Sequence, residues 1–500
     1  MGDRFGQLLA RLQMVDDLER ASAVLGWDQT TYMPPKGIVG RGDQLATLAA
    51  ISHRKFTDPE LGEILSALED EYHDRPADDP RRALVRVTRR DYDRITRLPE
   101  ALVGERQRVS AEAYRAWVEA RGAKRFTIFA PSLRRMVEVE RETAEAIGYE
   151  KEPYDALVDE AEPGLTAARG EELLGALKDA FLPLVQRIAE RRDTVDRSML
   201  FREYPTEAQW QAGVDAVTAF GFDFSRGRQD TSIHPFTTSF GVDDVRITTH
   251  PELGYFPAGF FGTLHEAGHG MYEQGLPAEW SRTPLGQPIS GGVHESQSRL
   301  WENLVGRSRA FWEYFLPIAK RYFPSQLAGV DVEAIFRAVN FSEPSFIRIE
   351  ADEVTYNLHI ALRFEIERAL MSGNLHAEDV PGAWAEKMQS YLGITPKDDL
   401  EGALQDIHWS GGLGSFIGYS VGNIVSGQLW QAAQDALGDL RALMRAGEFS
   451  PLLGWLRENL HQRGRIYTTD EMLRRTTGHG LDPAPYIAYV QGKYQEIYRL

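Results

Sequence analysis

Apolar residues recur at helical spacing along almost the whole of this chain, and that spacing commits it to an α-helical body. Leu173, Leu174, Leu177, Phe181, Leu184, Val185 and Ile188 form one stripe of a single long helix, because residues three, four and seven apart share a helix face. Pro183 falls inside that stripe and is expected to bend it. Equivalent stripes with charged outer faces run through 5–24, 81–121, 131–147, 331–340, 353–371 and 428–447. Strand signals are scarce. Phe236–Phe240 and Val245–Thr249 flank a Gly241-Val-Asp-Asp244 turn, which reads as one small hairpin. The Pro/Asp stretch 75–80 reads as a loop, not a domain linker, and no repeat is visible. The expected fold is mainly α: one large helical body over residues 1–500, single-domain or parted into two helical lobes around a cleft, with a minor sheet.

A chain of 500 residues buries enough apolar surface to need no covalent staples. It has no cysteine, which excludes disulfides, thiolate metal sites and cysteine nucleophiles and fits a reducing cytoplasm. Acidic residues number 74 against 56 basic ones, a net charge of -18. Such a surface repels phosphate backbones, so no nucleic-acid partner is expected. Arg89-Arg90 and Arg134-Arg135 are interleaved with acids and read as solvated helix faces. No run approaches the ~18 apolar residues of a membrane span. Residues 1–12 lack the apolar stretch of a signal peptide. A soluble, cytoplasmic protein without a membrane partner is expected.

The sharpest motif is His265-Glu-Ala-Gly-His269. On a helix the two imidazoles share one face and grip one ion, while Glu266 is aimed at a water on that ion. Phe260, Phe261, Leu264, Met271 and Tyr272 surround the motif with core-forming side chains. Pro257 stands where a proline opens a helix without breaking it. A catalytic zinc needs a third protein ligand and an open fourth position. Glu273 lies on the same helix too far along to converge with both histidines. Glu295, after the chain break expected at Gly291-Gly292, is the better choice, with Glu302 two turns on as its rival. Leu300, Trp301, Leu304 and Val305 continue an apolar stripe beyond it. Spacing leaves Glu295 and Glu302 both open. A site of this kind does hydrolysis: the ion activates water and polarises a carbonyl, and Glu266 moves the proton. The residues specify a metallohydrolase, most simply a peptidase, without saying where it cuts.

Beyond the metal motif the chain resembles the carboxypeptidase Taq family of helical zinc metallocarboxypeptidases. The resemblance rests on Ala23-Val-Leu-Gly-Trp-Asp-Gln-Thr-Thr-Tyr-Met-Pro-Pro35, Arg41-Gly-Asp-Gln-Leu-Ala46, His234-Pro-Phe236 and Asp244-Val-Arg-Ile-Thr248. It continues through His265–His269, His294-Glu-Ser-Gln297, Ile347-Arg-Ile-Glu-Ala-Asp352 and Gly402–Trp409, all in the family's order. The resemblance implies Glu295 as the third ligand beside His265 and His269. It also implies zinc as the cofactor with cobalt also supporting activity, an elongated helical fold with a deep groove, and a homodimer. The expected substrates are peptides with a free C-terminus.

An exopeptidase of that kind binds the α-carboxylate of its substrate, which a planar guanidinium does bidentately. Arg348 is the first choice and Arg246 the second; the opposing reading for each is a buried ion pair, with Glu350, Asp352 or Asp244 as partner. His234 either donates to substrate or holds the hairpin. His408 either stabilises the oxyanion or orients a ligand, with Asp406 and Trp409 as supporting wall. Tyr419 aligns with a family tyrosine able to bind the oxyanion or the terminal carboxylate. Trp27-Asp-Gln and Met33-Pro-Pro read as a helix end with a turn. One departure stands out: Ser415-Phe-Ile-Gly-Tyr419 lacks the family's first tyrosine, proline and threonine, which is expected to loosen a loop there. Two rival functions are an oligoendopeptidase-like helical metallopeptidase with the same ligands and a non-catalytic peptide-binding protein. An intact Glu266 argues against the second.

Overall fold

The computed structural model describes residues 3–500. It contains twenty α-helices and one three-stranded sheet among those residues. The stripe at 173–188 lies on the helix Ala167–Ala189, which runs on through Pro183. Residues 81–121 form two helices, Pro80–Arg97 and Glu100–Ala123, not one. The break is at Leu98, whose extended backbone (ψ 121°) follows from the clash an α-conformation would create before Pro99. The 428–447 stripe likewise divides, between Ile417–Leu437 and Leu440–Arg445, where Gly438 takes φ 78°. The first long helix, Arg4–Thr31, ends just after Trp27-Asp-Gln, and a short 3₁₀ turn follows Met33-Pro-Pro.

The expected hairpin is present. Strand β1 (Gly227–Thr231), β2 (Thr237–Ser239) and β3 (Val245–Thr249) form a sheet in the order β1-β3-β2. Strands β2 and β3 are antiparallel, with Thr237 opposite Ile247 and Thr238 opposite Arg246. Strand β1 adds in parallel to the other edge of β3. It carries no apolar alternation, and its buried positions are Gln229 and Asp230, so only its pairing partner reveals it.

The core falls into two apolar clusters. A small one joins Leu8, Leu12, Leu61, Leu65, Leu68 and Leu84 of the N-terminal helices and is completed by Leu285. The large one fills the rest of the body and surrounds the motif helix. A cleft of about 970 Å³ opens between the N-terminal helices and that body, with His294 in its wall. No helix among the described residues is long and apolar enough to cross a membrane.

Candidate active site

His265, Glu266 and His269 stand on one helix, Phe256–Glu273, with Pro257 in its first turn. Its i, i+4 spacing puts the two imidazoles on the same face, ring centroids 5.0 Å apart. A second helix, Gly291–Arg299, crosses it and carries Glu295. Gly291 and Gly292 open this helix instead of breaking the chain before it, because the Ser290 hydroxyl accepts from the Val293 N–H and caps its first turn.

The crossing is close because Gly268 has no side chain. A Cβ there would lie 2.6 Å from both the Gln297 carbonyl oxygen and the Ser298 Cα. On the other side of the Glu295 helix, a Cβ at Gly422 would lie 2.7 Å from Glu295 Cγ. Gly422 belongs to the helix Ile417–Leu437, so the helix that carries Glu295 is held between two glycines on neighbouring helices. Gly268→Ala is therefore expected to push the helices apart, lowering stability by about 1–3 kcal/mol and weakening metal binding about tenfold or more. Chelator competition on the purified variant measures the second effect, and wild-type affinity would show that the crossing does not set the site.

The structure brings His265, His269 and Glu295 together, with ligand atoms all within 4.8 Å of one another. Glu295 Oε2 lies 3.7 Å from His265 Nε2 and 3.4 Å from His269 Nε2. An ion about 2.1 Å from each of three tetrahedrally placed ligands separates those ligand atoms by about 3.4 Å, so the donor set fits a small divalent cation. The rival carboxylates take other places. Glu302 Oε2 sits 2.9 Å from His265 Nδ1, on the far side of the ring. Glu273 Oε1 sits 2.9 Å from His294 Nε2.

These partners orient the imidazole rings. The Glu302 carboxylate is ionised, held well below the usual carboxylate range against its burial by His265, Arg307 and Arg299, so it only accepts. His265 Nδ1 therefore carries a proton and donates to Glu302, and Nε2 is the ring atom turned toward Glu295. His294 Nε2–H donates to Glu273, which leaves its Nδ1 to accept from His269 Nδ1 at 2.5 Å. His269 thus presents Nε2 as a lone pair. Burial pushes His269 down to about 3, which keeps the ring neutral. His265 is also buried, but Glu295, Glu302 and Glu266 outweigh that and raise it. Glu295 is held well below the usual range, against its burial, by Arg299 and the two histidines.

Glu266 Oε2 accepts from Thr237 Oγ1 at 2.6 Å, and Thr237 Oγ1 also reaches the Glu266 carbonyl at 2.9 Å. Strand β2 thereby anchors the carboxylate and leaves Oε1 free. Burial raises Glu266, opposed by His265 and the Thr237 hydroxyl.

A second polar cluster adjoins the first. Arg348 is buried, with Nε 2.8 Å from Asp406 Oδ2 and Nη1 3.0 Å from the Tyr356 hydroxyl. Its partner is Asp406, not Glu350 or Asp352; Asp352 instead accepts from Ser342 and Thr355. The other oxygen of Asp406 holds His408 Nδ1, and His408 Nε2 faces the Tyr419 hydroxyl at 3.2 Å. Burial pushes Tyr419 up to about 12, so its phenol stays protonated and able to donate. The stretch 415–419 is no loosened loop. Phe416 and Ile417 are buried, and Tyr419 stands in the first turn of the helix Ile417–Leu437, where packing supplies the order that the missing proline does not.

Arg246 stands apart from the site. It pairs bidentately with Asp244 at 3.0 and 3.1 Å and lies between the Trp27 and Phe240 rings. Strand alternation puts it with Thr238 on the sheet face opposite Thr237, so the ion-pair reading describes it. His234 lies in the bend between β1 and β2, with its side chain exposed and its carbonyl accepting from Ser232 Oγ at 2.6 Å. Sequence reasoning missed Thr237, Arg299, Tyr356 and the orienting roles of Glu302 and Glu273. The i, i+4, i+7 spacing of Glu295, Arg299 and Glu302 was the available signal. Glu302 falls in a π-helical turn, Leu300–Gly306, a distortion common at functional sites.

The chain is similar to known proteins along nearly its whole length. Residues 7–494 match the carboxypeptidase Taq (M32) metallopeptidase family. The chain is 43% identical over 492 residues to thermostable carboxypeptidase 1 of Thermus thermophilus, covering 96% of each. It is 36% identical over 490 residues to carboxypeptidase 1 of Bacillus subtilis, covering 98% of this chain and 97% of that protein. The solved M32 carboxypeptidase from Deinococcus radiodurans R1 superposes with a TM-score of 0.96 at 40% identity, over 99% of this chain and 100% of that one. With the family matched across nearly its whole length and relatives this similar from end to end, the chain belongs to the carboxypeptidase Taq (M32) metallopeptidases and is a metal-dependent carboxypeptidase.

Proposed function

We propose that the metal is zinc, held by His265, His269 and Glu295, and that the enzyme trims peptides from a free C-terminus with Glu266 as general base. The observation that carries this is the convergence of three potential ligand atoms within 4.8 Å beside a carboxylate with one free oxygen. A nitrogen-rich donor set without thiolate suits zinc, and cobalt takes the same ligands. When bound, the ion lowers the pKa of its water and polarises the scissile carbonyl. Glu266 Oε1 accepts the proton of the attacking water and passes it to the leaving amine, while Thr237 keeps Oε2 out of the transfer. Arg348 holds the substrate α-carboxylate, with its guanidinium locked by Asp406 and Tyr356. Tyr419, oriented by His408, donates to the oxyanion or to that carboxylate. His234 lines the approach as an exposed donor.

The whole chain serves as one catalytic domain. Leu285 completes the N-terminal cluster and Arg465 pairs with Asp91, so the N-terminal helices depend on later segments. The family resemblance supports a homodimer, and the absence of cysteine fits a cytoplasmic setting. Light scattering tests the dimer against a 56.4 kDa protomer.

Timed mass spectrometry of two otherwise identical peptides, one free and one amidated at the C-terminus, tests the reaction with zinc and with chelator. A ladder losing single residues from the free peptide alone, abolished by chelator, is the expected result. Internal cuts in both peptides would transfer the enzyme to the endopeptidases, and metal binding without any cutting would make it a binding protein.

A further inference from the structure

Arg299 is a half-buried cation that touches both halves of the site. Its Nε donates to Glu295 Oε1 at 2.7 Å, and its Nη1 lies 3.8 Å from Glu302 Oε2. Its guanidinium carbon sits 4.3 Å from the centroid of the Tyr356 ring. Tyr356 is buried, and its hydroxyl accepts from Arg348 Nη1 at 3.0 Å. A single unbroken run of contacts therefore joins the carboxylate facing the metal to the guanidinium facing the substrate. Glu295 and Arg299 stand on the helix Gly291–Arg299, Tyr356 opens the helix Tyr356–Ser372, and Arg348 lies in the short 3₁₀ turn Arg348–Glu350.

Each link does something specific. A carboxylate offers two equivalent oxygens to an ion. Arg299 occupies Oε1 and so presents Oε2 to the two histidines. A planar guanidinium can do this while packed over an aromatic ring, and its fork geometry is not reproduced by an ammonium. Tyr356 uses its face for Arg299 and its hydroxyl for Arg348, so the two guanidiniums cannot move independently. Charge works in the same direction. A dication beside Glu295 weakens the hold of that carboxylate on Arg299, leaving excess positive charge along the run. A substrate carboxylate at Arg348 compensates it, in surroundings where charges are poorly screened.

We propose that Arg299 and Tyr356 are positioning residues that couple the two sites, so that metal occupancy and binding of a C-terminal carboxylate strengthen each other. The proposal rests on the reading of Glu295 and Arg348 given above. Coupling of this kind is reciprocal, so it is measurable from the metal side without turnover.

The experiment is the zinc Kd of the full-length enzyme, by chelator competition, alone and with saturating N-acetyl-leucine or its amide. In the wild type the acid is expected to tighten zinc roughly 5- to 20-fold, and the amide to leave it unchanged. Tyr356→Phe keeps the ring under Arg299 and removes only the hydroxyl, so the packing survives. Its zinc Kd without ligand is expected within about threefold of wild type, with the tightening by the acid reduced below about twofold. Arg299→Lys is expected to weaken zinc about tenfold and to abolish the tightening. A wild-type response in Tyr356→Phe would overturn the bridge, since the acid would then be acting directly on the ion. So would absence of any tightening in a wild type that calorimetry shows to bind the acid. Arg348→Ala separates the two claims: if that variant binds the acid as tightly as wild type, the carboxylate reading fails and takes the far end of the bridge with it.

Discussion

Glu266→Gln is expected to lower kcat/KM by about 10³ with the metal still bound. Glutamine matches the shape of the side chain and accepts the Thr237 hydroxyl as glutamate does, but its amide cannot take a proton. Glu266 is not among the three clustered ligands, so metal content by elemental analysis should equal wild type. Activity above about a tenth of wild type would assign the base to another group. The hydroxyl of Thr237 gives a subtler check. Burial raises Glu266, while His265 and that hydrogen bond pull it down. Thr237→Val removes the bond, so the carboxylate holds its proton to higher pH. The acid limb of kcat/KM is expected to move upward in that variant, while the alkaline limb stays in place.

Arg348→Ala is expected to lower kcat/KM for free-C-terminus peptides by about 10², because hydrogen bonds to a charged group contribute about 1.5–3 kcal/mol each. The fold should survive the change. Asp406 keeps a second cation, since Arg363 Nε donates to the same oxygen at 3.1 Å. Metal content should stay at one ion per chain, as Arg348 touches none of His265, His269 or Glu295. Arg348→Lys restores the charge without the planar fork and is expected to recover activity only in part. Loss of metal in parallel with activity would make Arg348 a structural residue instead.

Helices and metal motif were readable in the chain because both depend on local spacing. The 173–188 stripe became a helix through Pro183 as one continuous element, and the β2–β3 hairpin followed its turn. Errors arose where a local pattern met a global constraint. The 81–121 stripe kept its periodicity across Leu98-Pro99, yet a single steric clash divided it. Strand β1 has no pattern of its own and exists because the edge of β3 was open. Gly418 looked like a loosening of 415–419, whereas the helix it opens is held by the packing of Phe416 and Ile417. Arg246 matched the chemistry of carboxylate recognition, but strand alternation and Asp244 turned it to the other face of the sheet.

Residue spacing alone therefore indicated a helical chain, two histidines on one helix face with a glutamate between them, and a short set of carboxylates and arginines as candidates to complete a site. It did so because side chains one helical turn apart must face the same way, whatever surrounds them. Which carboxylate faces the histidines was decided by tertiary packing. Glu295 and Glu302 share a stripe, and only the close crossing at Gly268 puts Oε2 of the first among the Nε2 atoms and the second behind His265. The partner of Arg348 is the same lesson over a longer range. Glu350 and Asp352 are its neighbours in the chain, but Asp406, 58 residues away, is the carboxylate that meets it, because helix packing and not chain proximity sets which charges are buried together.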